Sequence, residues 1–303
     1  MTTTALLRRI LLAEACVYIV LVGMLAQRPE WDGGRVGALL LLLACGVRAA
    51  IVGVTFAFAR VYRAKAPQAC EIALPRGLAM FCRELGALLV LFAFVMPFER
   101  RMLRADRLVR RDDRRLPVLL VHGYLCNRGY WWRLLPALEA AGYQVATLSL
   151  QPAFGDVAGY VPQLAKRIDE VRAATGCDQV ILLGHSMGGL VARAYLHRHG
   201  GNHVARLVTL GSPHHGSQLA VLGIGPNAKQ MLPGSPWLAA VTLPEPAPPC
   251  VAIYSCQDNF VMPQDSARLE GARIIPLAGI GHLEMAFAPV IRRVVLEELD
   301  RVG

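Results

Sequence analysis

The stretch Val180-Ile-Leu-Leu-Gly-His-Ser-Met-Gly-Gly-Leu-Val191 decides how the rest of the chain is read. Its opening run of branched apolar residues has the length and composition of a buried strand. The residues that follow Met187, rich in Ala, Leu and Arg, read as a helix. Ser186 stands between them with Gly184 and Gly188 two residues away on either side, the pattern G-x-S-x-G. A serine on so sharp a strand-to-helix turn needs glycine neighbours, because side chains would block the close approach of the backbones. Five residues are too short a pattern to stand alone, so partners must be found elsewhere.

Outward from this stretch, strand and helix signals alternate. Strands are expected at 117–122, 143–150, 204–212, 250–255 and 272–277, and helices at 130–141, 160–174 and 288–299. Such alternation implies a mainly parallel sheet covered on both faces, with its active site beyond the carboxyl ends of the strands. A nucleophilic serine needs a base, an orienting carboxylate and oxyanion donors. His282 follows the last expected strand, and Asp258 follows the one before it, with Asp265 seven residues further on. The order Ser186, Asp258, His282 suits an α/β hydrolase. The amides of Tyr124, past the first strand, and Met187, next to the serine, are the expected oxyanion donors.

The segments "VHGYLCNRGYWW" (121–132), "GHSMGGLVARAYL" (184–196), "TLGSPHHGS" (209–217), "QMLPGSPWL" (230–238), "DNFVMP" (258–263) and "GHLEM" (281–285) carry a resemblance to the bacterial lipase/esterase branch of the α/β-hydrolase superfamily. The resemblance covers roughly residues 116–300. It implies Ser186 as nucleophile, His282 as general base and then acid, Asp258 as the residue fixing the histidine tautomer, and no cofactor. Some relatives bind structural calcium, but no ligand set is recognisable here, so no metal is expected. The interval 216–249 is too short for the large mobile lid of some true lipases. Of the other histidines, His122 reads as stabilising a turn and His185 as pointing away from the site. The adjacent His214 and His215 point oppositely if extended, which suits a structural role over a metal site. Trp131 and Trp132 stand open between an acyl pocket, a membrane interface and plain packing.

The first third has a different texture. Three apolar stretches, Ile10–Ala26, Val36–Ala59 and Leu78–Phe98, each approach the roughly 20 residues that cross a bilayer. "GMLAQR" offers no small-x-small cleavage site, so the first is not read as a signal peptide. Arg48, Glu14 and Glu84 lie within these stretches; a pairing of Arg48 with a glutamate is the expectation, against the reading of a proton path. Residues 99–115 hold eight arginines and read as a juxtamembrane linker against anionic head groups. The expected organisation is therefore a membrane region over 1–98, the linker over 99–115 and an α/β-hydrolase domain over 116–303, separable from the anchor.

Composition supports this division. The chain has 303 residues, 54% of them hydrophobic, and a mean hydropathy of +0.40. Residues 1–115 hold 18 Lys and Arg against 9 Asp and Glu, whereas the remainder is nearly balanced at 14 against 13. A basic excess beside apolar runs, without stacking aromatics, points to a membrane surface and away from nucleic acid. The eight cysteines show no CxxC pair. Cys250 and Cys256 share one expected strand, about 20 Å apart, and cannot pair with each other.

The expected function is a membrane-anchored serine hydrolase acting on carboxylic esters, with lipid esters as the expected class, and with the bilayer and an ester substrate as its partners. A thioesterase, an acyltransferase, and a non-catalytic membrane module on a hydrolase scaffold are the alternatives. A bacterial inner membrane is the expected location. Counting flanking cations gives 6 on one side and 10 on the other, a lean toward a cytoplasmic hydrolase domain.

Overall fold

The chain is seen in a computed structural model that describes residues 1–65, 70–110 and 115–301. Three helices come first: α1 (Thr3–Leu25), α2 (Gly33–Val61) and α3 (Leu74–Leu89). After α3 the helix widens into a π turn over Val90–Val95, tightens over Met96–Phe98 around Pro97, and ends in the short α4 (Glu99–Met102). Asp32 caps α2 by accepting from the Arg35 amide at 2.8 Å, which explains why that helix starts where it does. By length and composition, two helical runs are able to cross a bilayer, Gly33–Val61 and Leu74–Met102. α1 holds Arg8, Arg9 and Glu14 within its 23 residues.

The alternating elements follow: β1 (Val118–Val121), α5 (Leu134–Ala140), β2 (Val145–Leu148), α6 (Val157–Thr175), β3 (Val180–His185), α7 (Met187–His199) and β4 (Val204–Leu210). The short α8 (Pro226–Gln230) and α9 (Pro236–Ala240) precede β5 (Cys250–Ser255), β6 (Arg273–Leu277) and α10 (Pro289–Asp300). The strands form one sheet in the order β2-β1-β3-β4-β5-β6, and every neighbouring pair is parallel. The chain leaves β1 for β2 on one side and returns to β3 on the other. That reversal opens a crevice at the carboxyl ends of β1 and β3, beside Ser186.

Alternate residues of each strand enter different cores. Leu119, Val121 and Leu182 pack under α6 and α7. Val118, Leu120 and Ile181 face α5 and α10, and here the N-terminal helices join them through Val52, Leu88, Leu91 and Met96. Val52, Leu91 and Met96 have no exposed surface. Burial of that completeness contributes about 1.5–3 kcal/mol per side chain. The helices therefore share a core with the sheet, unlike the separable anchor expected from the sequence.

The arginine-rich segment also departs from expectation. Beyond α4 it runs along the edge of the sheet, where Asp106 is the anchor: its carboxylate accepts from the Thr147 amide at 2.7 Å and pairs with Arg128 at 3.2 Å and Arg167 at 2.7 Å. Arg115 lies over the Tyr143 ring and 3.7 Å from Asp300. The sequence reading laid this segment on lipid head groups because its arginines outweigh its one well-placed aspartate. Residues 111–114 of it lie outside the described residues.

Candidate active site

Ser186 sits at φ 55° and ψ −127° between β3 and α7, one of two non-glycine residues with positive φ among those described. Backbone in that region is strained for a residue bearing a Cβ. The surrounding glycines make it possible. A Cβ on Gly184 would stand 2.6 Å from the Gly189 nitrogen, and one on Gly188 would stand 2.1 Å from the Val121 oxygen. The Ser186 amide donates to the Leu210 carbonyl at 2.9 Å, tying the turn to β4.

Asp258 and His282 come from the loops after β5 and β6, and both are buried. His282 Nδ1 lies 2.9 Å from Asp258 Oδ2. The other carboxylate oxygen accepts from the amides of Phe260 and Val261, each at 2.8 Å, so its direction is fixed on both sides. Asp265 is exposed at the start of a short turn, away from this pair. Ser186, His282 and Tyr124 line one cavity of about 580 Å³. No hydrogen bond joins Ser186 Oγ to His282 among the described residues, as is common before substrate tightens such a site. Nor do the amides of Tyr124 and Met187 find acceptors among the described residues. Met187 is the first residue of α7, where helix amides are unsatisfied by geometry.

The remaining histidines separate by environment. His122 is buried: Nδ1 is 2.9 Å from the Gly123 carbonyl, and Nε2 accepts from the Leu150 amide at 2.9 Å. Burial pulls it down to about 4, so it stays neutral and braces the turn, as the sequence suggested. His214 is likewise buried and held down to about 3 by burial first, while its neighbour His215 is exposed. His185 differs from expectation. Its ring stacks on Tyr130 at 4.0 Å and lies 4.5 Å from the His282 ring, behind the site instead of away from it. Burial holds it well below its ordinary value, hence uncharged. Trp131 is a core residue and Trp132 is half-buried.

The structure adds residues that motif reading had not assigned here. Glu84 of α3 has no exposed surface and accepts from the amides of Leu283 at 3.0 Å and Glu284 at 2.8 Å. Asn259 accepts from the His282 amide at 2.9 Å and donates to Thr55 of α2 at 2.8 Å. Cys70 and Cys256 form a disulfide, placing the link two residues before Asp258. Gln257 reinforces it by donating to the Cys70 carbonyl at 2.6 Å. Arg48 pairs with Glu14, both guanidinium nitrogens standing 2.7 Å from the carboxylate, so the expected pairing exists with that glutamate. Glu84 was the other candidate. The only sequence signal of its different role is a carboxylate in an apolar stretch, which must find donors somewhere.

Comparisons with known proteins bear on the sheet region. The chain matches the family described as "alpha/beta hydrolase fold" over residues 117–239. It is 36% identical over 114 residues to a triacylglycerol lipase of Pseudarthrobacter phenanthrenivorans, covering 35% of either chain. It is 36% identical over 114 residues to one of Burkholderia plantarii, covering 35% of this chain and 32% of that one. The match thus spans about a third of the length of these curated relatives. Among solved structures, the mature Bacillus licheniformis lipase BlEst2 superposes with a TM-score of 0.58 at 20% identity, over 65% of this chain and 97% of the other. Sheet order, strand direction, the serine turn and these likenesses agree that the chain carries the α/β-hydrolase fold.

Proposed function

We propose that the protein is a membrane-anchored serine hydrolase that cleaves carboxylic esters of lipids. The observation that carries this reading is the composition of the cavity. Ser186 and His282 share its walls with Val47, Ile51 and Val54 of α2, and with Leu219 and Leu222 from the segment after β4. The outer side of α2 presents Leu41 and Leu42 at 67% and 68% exposure, apolar surface that a bilayer would cover. One helix thus borders both the lipid phase and the reacting serine. An acyl chain can pass from one to the other along apolar surface, without crossing water. Val221 and Ile224, exposed and apolar, sit in the segment beside the cavity.

The chemistry follows from the groups present. His282 takes the proton of Ser186 Oγ as the oxygen attacks the ester carbonyl. The amides of Tyr124 and Met187 receive the negative charge that develops on the carbonyl oxygen. The intermediate collapses, the alcohol leaves with the proton held by His282, and an acyl-serine remains. Water, deprotonated by His282, then attacks the acyl carbon and the acid departs. Asp258 keeps the Nδ1 proton of His282 directed toward itself, leaving Nε2 free to face the serine.

The Cys70–Cys256 bond supports a catalytic region on the oxidising side of the membrane, since such bonds persist there and not in a reducing cytosol. The cation count does not weigh against this, because it set residues 60–77 and 99–115 on opposite sides, whereas Cys70 and Asp106 both join the sheet region.

Purified full-length protein, offered esters of increasing acyl length and triacylglycerol in vesicles, should prefer the long chains. Ser186→Ala should lower kcat by about 10⁴–10⁶ and abolish labelling by a fluorophosphonate. Ile51→Trp should shift the optimum to shorter chains. A wild type that hydrolyses none of these esters and resists the fluorophosphonate would sink the reading. Preference for acetyl esters, unchanged in Ile51→Trp, would remove the lipid assignment alone.

A further inference from the structure

We propose that Glu84 is a positioning residue for His282, acting from the N-terminal helices on the base of a reaction carried out in the sheet region. The inference rests on His282 being that base.

The loop after β6 turns sharply at His282 and enters a short helical turn, Glu284–Ala286. The amides at the start of such a turn have no acceptor within it. Here both amides that follow His282, those of Leu283 and Glu284, donate to the two oxygens of Glu84. The fit is close: a Cβ on Gly281 would stand 2.3 Å from Glu84 Oε2, so this approach requires the glycine before His282. Neighbouring bonds hold the arrangement from the other side. Glu284 accepts from the Gly281 amide at 3.0 Å and pairs with Arg83, and Arg83 donates to the Gly279 carbonyl at 2.9 Å. The backbone on either side of His282 is thus gripped by two consecutive residues of α3.

A carboxylate suits this task where an amide does not. It offers two acceptor oxygens to two donors 199 and 200 residues away in sequence. Glutamine at 84 would satisfy one donor and turn an NH₂ group toward the other. An imidazole displaced by about 1 Å from its reacting position costs on the order of 10² in rate. Binding of the acyl chain depends on other walls of the cavity, so the effect should fall on kcat.

The test uses full-length protein in detergent micelles with p-nitrophenyl butyrate. Glu84→Ala should lower kcat about 10–100-fold with KM within about threefold of wild type, and Glu84→Gln should fall between. Leu88→Ala, one turn along α3 in the shared core, should lower the melting temperature while keeping kcat. Amide hydrogen exchange over residues 280–288 should speed at least tenfold in Glu84→Ala and less in Glu84→Gln. Wild-type kcat in Glu84→Ala would overturn the inference, as would equal kcat losses in Glu84→Ala and Leu88→Ala. Should Glu84→Ala fail to fold, wild-type kcat and exchange in Glu84→Gln would overturn it. Exchange also separates this inference from the functional reading: protection lost in Glu84→Ala supports the grip on His282 even if no ester is hydrolysed, and protection unchanged refutes it.

Discussion

The turn that carries Ser186 and the loops that carry Asp258 and His282 are built in different ways. The backbone of the serine turn is set by β3, α7, β1 and β4: its glycines abut Val121 and Gly189, and its amide bonds to Leu210. The other two loops lean on the N-terminal helices. Glu84 accepts from the residues after His282, Thr55 from Asn259, and Cys70 is bonded to Cys256. The proposed nucleophile is thus held by nearby strands and turns, and the proposed acid and base by groups about 185–205 residues distant. The lesson is that the site is half autonomous and half borrowed, and the experiments below ask how real that division is.

Within the borrowed half, the largest effect belongs to the carboxylate. Asp258→Asn should lower kcat by about 10⁴, because an amide facing His282 Nδ1 favours the wrong tautomer. Asp265→Asn, exposed and outside the pair, should stay within about twofold of wild type. Damage from Asp265→Asn with a mild Asp258→Asn would reverse the assignment of the acid.

A fragment beginning at Leu116 separates the halves outright. It keeps the serine turn but loses the α2 wall and every helix contact to the acid and base loops. The sequence alone suggested that a fragment starting near Arg114 would fold and keep its activity on short soluble esters, losing much of its rate only on bilayer substrates. The shared core suggests instead a poorly soluble chain, with any soluble fraction hydrolysing short esters at less than about a hundredth of the full-length rate. Full activity from a monomeric fragment would show that the helices merely tether the enzyme.

That contrast explains what could be read beforehand. The strands, the serine turn and the order of the triad are local patterns, because strand period and glycine placement act over a few residues. The choice of Asp258 over Asp265 came from its place just past β5. Docking of the helices was not legible, since it depends on a carboxylate meeting two amides and a thiol meeting another across most of the chain. His185 was misjudged for a related reason: alternation predicts which side of a turn a residue faces, but not which loop folds over that side.

Removing the disulfide should have a moderate effect. Cys70→Ser should destabilise the protein by about 2–4 kcal/mol, read as a lower unfolding midpoint, with kcat reduced only several-fold because Asp258 keeps its own amide donors. Thiol alkylation in intact cells, with and without reductant, reports the same bond. Ready alkylation of Cys70 and Cys256 without reductant would place the catalytic region in a reducing compartment and withdraw the assignment of side.

The smallest effect should come from the Glu14–Arg48 pair, and it is the most telling about how the helices act. The pair joins α1 to α2 at 2.7 Å, with 15% of the arginine and 23% of the glutamate side chain exposed. Loss of one partner leaves an uncompensated charge among apolar helices, so Arg48→Met alone should reduce stability, whereas the double change Glu14→Leu with Arg48→Met should restore much of it. Among the described residues, the hydrogen-bond partners of the pair are each other, Tyr18 and Ala44, not the loops of Asp258 or His282. If the helices act on the site only through their few direct contacts, kcat should remain within about twofold of wild type in the double variant. A loss comparable to that of Glu84→Ala would mean that the bundle acts as a unit. In that case the border between the autonomous and borrowed halves would run through the whole helical region instead of through Glu84, Thr55 and Cys70.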